Sequence, residues 1–154
     1  MTKIKLIPVL VVAALYWILG GIWYSPLLFA NKFIALIGWT PQQVAALQQA
    51  GESQGLIVAF ISSLVLSFIL AHFVRYTKAN NVADGLKTGF WLWLGFVVTT
   101  NLETVLFEQR ALGLYLINNS YHLVGFLMMG AILAVWGNQP AKEEYRRPAV
   151  NSAS

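Results

Sequence analysis

The chain has 154 residues, of which 58% are hydrophobic and only 10% charged, with a formal net charge of +4. Soluble domains average about 25% charged residues, and one of this size has too little interior to hide so much apolar surface, so an ordinary soluble domain is excluded. The basic residues gather at the ends of apolar segments rather than along one face, which excludes a nucleic-acid partner, and the lack of cysteine excludes disulfides and thiolate metal sites.

Crossing a hydrocarbon core of about 30 Å takes roughly 20 apolar residues. Four segments qualify, at about 6–29, 55–76, 86–107 and 114–136. The expected fold is an all-α integral membrane protein, a compact bundle of four transmembrane helices formed by residues 1–138. The remainder, 139–154, is polar and holds two prolines, and reads as a disordered cytoplasmic tail.

The first span opens like a signal peptide, with Lys3 and Lys5 ahead of an apolar run. The run continues through Gly20 and Gly21 to Phe29, beyond the roughly 7–15 residues of a cleaved segment, so a retained helix is expected. Tyr16 and Trp17 fall in mid-span and require packing partners. In the connection that follows, Thr40 and Pro41 form a helix start, an N-cap and then proline at the first helical position. A short amphipathic helix over about 41–49, ending near Gly51, is expected there, with Phe33 and Trp39 at the interface. It serves either as a plain connector or as a gating lid.

In the second span Gly55, Ala59, Ser63, Ser67 and Ala71 recur at every fourth residue. Such a ridge of small residues lets backbones approach closely, which drives helix association in lipid. Its expected partner is the first helix, antiparallel, through Ala14, Gly21 and Ser25; an oligomer interface is the alternative.

The third span ends in polar residues, "TTNLETVLFEQR" from Thr99 to Arg110. Glu103 lies roughly 7 Å below the interface. It shares a 3.6-residue face with Trp93, Phe96, Thr100, Phe107 and Arg110. The fourth span brings Asn118, Tyr121 and His122 down from the same turn, and Lys32 follows the first. The expected arrangement turns Glu103 toward Asn118 and His122 in the bundle interior. It is either a hydrogen-bonded clasp or a ligand or proton site, since ionisable groups inside spans are candidates for function. Glu108 and Arg110 are two residues apart and would not face each other on a helix. His72 and His122 lie at levels roughly 12 Å apart, which excludes one haem held between them. Most tryptophans and tyrosines mark the two interfaces. No residue set calls for a metal or cofactor, and no catalytic motif such as HExxH or GxSxG occurs, so an enzyme is not expected.

Orientation follows from charge. With the N-terminus inside, the inner segments hold eight basic residues and the outer loops only Lys32 and Arg110. Both termini are therefore expected in the cytoplasm, in a bacterial inner membrane.

"GGIWYSPLLFANKF" and "LFEQRALGLYLINNSYHL" resemble the two signatures of a family of small bacterial membrane proteins known as domain of unknown function 1761. The resemblance runs from about Leu6 to Trp136 and implies four spans without implying an activity. It singles out Trp23, Tyr24, Ser25, Pro26, Phe29 and Lys32, then Phe107, Glu108, Arg110, Asn118 and Tyr121. The leading expectation is a non-catalytic protein acting as a homo-oligomer or as an accessory subunit beside other membrane proteins, surrounded by membrane lipid. Its alternative is the protomer of a small-solute or ion transporter or channel with Glu103 as proton or cation site.

Overall fold

The structure, a computed structural model, describes residues 4–49 and 53–137. The tail expected at 139–154, and with it Lys142, Arg146 and Arg147, lies outside the described residues, as do Lys3 and Gly51. The secondary structure of the described residues is entirely helical, in the order α1 (Leu6–Trp23), α2 (Ala30–Ile37), α3 (Pro41–Gln49), α4 (Ser53–Tyr76), α5 (Val82–Leu92), α6 (Thr99–Leu106) and α7 (Leu112–Ile132), joined by turns. A π-helical segment, Trp93–Val98, joins α5 to α6, and a second, Leu133–Gly137, extends α7. Four stretches are long and apolar enough to cross a membrane: Leu6–Trp23, Gln54–Tyr76, Val82–Leu106 and Leu112–Gly137. The chain is a multi-pass membrane protein.

Helix ends follow local chemistry. The first span stops at Trp23, short of the expected Phe29, because Pro26 supplies no N–H and disfavours helical geometry at Ser25. The Ser25 hydroxyl closes that end on the Ile22 carbonyl at 2.7 Å. Residues up to Phe29 turn the chain into α2, which ends at Gly38 in the left-handed region (φ 79°). The third span begins earlier than expected, at Val82, because Asn81 caps it. Its Oδ1 accepts from the Asp84 N–H at 2.9 Å, and its Nδ2 donates to Asp84 Oδ2 at 2.6 Å.

Core packing runs along α7, flanked by α1 and α5, with α4 against α1. Val12, Leu70, Val74, Met129 and Leu133 are fully buried between these helices. The expected contact of α4 with α1 forms over only part of the ridge. Ser63, Ser67 and Ala71 are buried, and Ser67 Oγ donates to the Val9 carbonyl at 2.9 Å. Gly55 and Ala59 are exposed, and Gly21 has nothing within 4 Å of where a Cβ would sit, so those three positions do not pack. Because α4 diverges from α1 at that end, the ridge works over its second half alone. Replacing Ser67 with Ala is expected to cost about 0.6 kcal/mol, the average for an interhelical hydrogen bond in a membrane. Ser67→Leu should cost several-fold more through overpacking, and Gly55→Leu should stay within about 0.5 kcal/mol; unfolding in detergent compares the three.

The closest helix approach lies elsewhere, between α5 and α7. A Cβ on Gly85 would meet the Gly130 carbonyl oxygen at 2.4 Å, one on Gly89 the Phe126 oxygen at 2.3 Å, and one on Gly130 the Gly85 oxygen at 2.3 Å. These glycines put backbone directly against backbone, which only a residue without a side chain permits.

Candidate functional site

The α5–α7 contact decides what the end of the third span presents. Continued at 3.6 residues per turn from the Gly85–Gly89 face, Phe96, Thr100, Glu103 and Phe107 would turn toward α7. The π-helical segment adds a residue to the turn and rotates everything beyond it by roughly 100°. Val97 now packs on the core and Asn101 and Thr104 turn inward, while Phe96, Thr100, Glu103 and Phe107 are exposed. The expectation that Glu103 faces α7 is corrected accordingly. The rotated segment is anchored at its start by Trp93, whose Nε1–H donates to the Asn119 carbonyl at 2.9 Å, and near its end by Tyr115, whose hydroxyl donates to the Val98 carbonyl at 3.1 Å.

Between the ends of α1, α6 and the start of α7 lies a cavity of about 420 Å³. Asn101 and Thr104 line it from α6; Tyr115, Asn118, Asn119, Tyr121 and His122 from α7; Tyr24 and Phe33 from the first crossover; and Arg110 from the turn. Of the residues singled out from sequence, it brings together Tyr24, Arg110, Asn118, Tyr121 and His122. Lys32, Glu103 and Glu108 are exposed and do not line it. Glu108 nevertheless holds Arg110, with Oε2 at 2.7 Å from Nε. They face each other, contrary to the helical expectation, because Gln109 between them has a positive φ of 52° and the turn is not helical.

The cavity walls are fixed by hydrogen bonds between helices. The Tyr24 hydroxyl donates to Asn118 Oδ1 at 2.8 Å, and Trp23 Nε1–H donates to the Ile117 carbonyl at 3.2 Å. Tyr16 stacks on Tyr121 with ring centroids 4.9 Å apart, and its hydroxyl lies 2.6 Å from His122 Nδ1. With that hydroxyl donating, the neutral imidazole carries its proton on Nε2. Tyr121 in turn donates to the Tyr16 carbonyl at 3.3 Å. Two glycines make room for this stack. A Cβ on Gly125 would lie 2.1 Å from the Tyr16 ring, and one on Gly20 would lie 3.0 Å from the Tyr121 hydroxyl.

Asn119 is 5% exposed, and its Nδ2 donates to the Tyr115 carbonyl at 2.8 Å. A carbonyl only accepts, which fixes the amide nitrogen on that side. Asn119 Oδ1 is left buried without a hydrogen-bond partner. Buried polar atoms in native proteins are nearly always paired, so this oxygen marks a place prepared for a donor.

A second cavity, a groove of about 790 Å³, opens where α4 diverges from α1. Trp17, Leu56, Ala59 and Leu66 make it mainly apolar, and it shares Tyr24, Tyr121 and His122 with the polar cavity. Trp17 spans its floor to α4, donating to the Leu56 carbonyl at 3.1 Å and meeting Phe60 edge-on at 5.8 Å. No group of three or more metal-ligating side chains occurs among the described residues.

Sequence reading missed Asn101, Thr104, Tyr115, Asn119 and the role of Trp93. Asn101 and Asn119 carried a legible signal as amides inside apolar spans, but their facing depended on the π-helical insertion. Tyr16 was legible as a mid-span polar aromatic in need of a partner, though not that His122 supplies it.

Comparison with known families matches residues 7–134 to one described as "Protein of unknown function (DUF1761)". No curated protein matches, and no solved structure does. The chain belongs to the DUF1761 family.

Proposed function

We propose that this member of the DUF1761 family is a non-catalytic membrane protein that acts as an oligomer or accessory subunit of a membrane assembly. We place it in a bacterial inner membrane, with both termini in the cytoplasm and the polar cavity facing outward. The observation that carries the reading is the outward position of Glu103 on α6, among exposed Phe96, Leu102 and Leu106, with no ion-pair partner among the described residues. Ionisable groups within spans nearly always face protein or water, so a carboxylate on the outer face of a single chain calls for a neighbouring subunit. The exposed half of the α4 ridge, Gly55 and Ala59, offers a second surface suited to close helix contact. The transporter reading built on Glu103 lacks such support, because this carboxylate is outside the cavity.

Native mass spectrometry of protein extracted gently from its own membrane tests the proposal. Fixed stoichiometry with a second copy or with other polypeptides is expected. Glu103→Gln should weaken that association about tenfold or more while leaving the unfolding temperature of the isolated chain unchanged, as the exposed side chain makes no hydrogen bond or ion pair among the described residues. A monomer that stays monomeric across detergents and lipid nanodiscs would refute the reading.

A further inference from the structure

The polar cavity carries an inference independent of assembly. Its volume of about 420 Å³ falls in the range of small-ligand sites, roughly 300–1,000 Å³, and far exceeds the roughly 30 Å³ share of one water. Among the described residues Arg110 is the one charged side chain lining it and no carboxylate does, so an anionic group is favoured over a cation or an amine. Arg110 holds Glu108 through Nε, which leaves its terminal guanidinium nitrogens as donors for a phosphate. Deeper in the wall the demand reverses, since Asn119 Oδ1 needs a hydrogen-bond donor. Asn118, whose Oδ1 is taken by Tyr24, has its amide hydrogens to give. A phosphate alone only accepts; a hydroxyl both donates and accepts. The apolar groove sharing Tyr24, Tyr121 and His122 adds room for a hydrocarbon chain beside the same wall.

We propose that the cavity binds a phosphoglycerol group, with phosphate at Arg110 and hydroxyls at Asn118 and Asn119, as the headgroup of a phospholipid whose acyl chain lies in the groove between α1 and α4. The same chemistry is found in free glycerol phosphate, and the experiment separates the two sources.

Delipidated full-length protein in detergent is titrated with phosphatidylglycerol, with phosphatidylcholine of the same chains and with glycerol 3-phosphate, reading bound ligand by native mass spectrometry. Phosphatidylglycerol is expected to bind saturably and about tenfold more tightly than phosphatidylcholine, because both present a phosphate to Arg110 but only the glycerol hydroxyls can donate to the orphaned Asn119 oxygen. Arg110→Gln should weaken phosphatidylglycerol binding about tenfold, the worth of one charge-assisted contact, without moving the unfolding temperature of the lipid-free protein, because the Arg110–Glu108 pair is more than half exposed. Saturable binding of glycerol 3-phosphate that Arg110→Gln removes would support the assigned chemistry and make the ligand a free solute. Equal retention of the two lipids with no binding of glycerol 3-phosphate would overturn the proposal, as would a phosphatidylglycerol affinity that Arg110→Gln leaves unchanged.

Discussion

Gly89→Ala is expected to destabilise the protein by about 3 kcal/mol or more, the upper range for overpacking a tight contact. The added methyl would sit 2.3 Å from the Phe126 carbonyl oxygen and 2.8 Å from its carbon. Neither is a side chain that can swing away, so α5 and α7 must separate. That separation would loosen the facing contacts, where Gly85 and Gly130 each lie so close to the other's carbonyl oxygen that neither position has room for a Cβ. It would also draw Trp93 from the Asn119 carbonyl, so the wall of the polar cavity should loosen together with the loss of stability. Gly21→Ala is the matched control, because nothing lies within 4 Å of its added Cβ and the change should stay within about 0.5 kcal/mol. Unfolding of both variants in the same detergent decides the matter. Equal stability of the two would mean that the α5–α7 contact is not the packing centre of the bundle.

Tyr16→Phe should cost about 1–2 kcal/mol, between the average worth of a hydrogen bond in a membrane and the penalty for an orphaned buried acceptor. Tyr16 is 4% exposed, and its hydroxyl meets Nδ1 of His122, a residue that lines both cavities, at 2.6 Å. His122→Phe should cost a similar amount, and the double variant much less than the sum, because removing both partners leaves neither one orphaned. Additive losses would show that the two side chains are energetically independent despite their distance. Stacking on Tyr121 and the slot over Gly125 are kept in Tyr16→Phe, so the cycle isolates the hydrogen bond from the packing.

The four spans and the membrane setting were legible in the sequence because hydrocarbon imposes a coarse demand. A crossing helix must be apolar over roughly 20 residues whatever it packs against, and that length is countable. The family was legible too, through short strings of aromatic and polar residues around Trp23–Lys32 and Phe107–Tyr121 that do not depend on facing. Tyr24, Arg110, Asn118, Tyr121 and His122 were singled out before any contact was known, together with Lys32, Glu103 and Glu108, which do not line the cavity.

What faces what was decided only by tertiary structure. The small-residue ridge of α4 looked like the tightest seam, yet helices diverge or converge according to their whole length, and only Ser63, Ser67 and Ala71 found a partner. The tighter seam, Gly85 and Gly89 on Gly130, involves just three glycines whose sequence pattern is less regular than the ridge's. Glu103 shows the effect most sharply. A periodicity argument assumes an unbroken 3.6-residue turn, and the π-helical segment at Trp93–Val98 shifts the register by one residue. That shift exchanges an inward carboxylate for Asn101 and Thr104 and leaves the cavity with Arg110 as its charged lining residue. Composition determined the solvent this chain lives in, because burial in lipid sums over many residues. The chemistry of its cavity depended on one residue of helical register, which a sum over residues does not record.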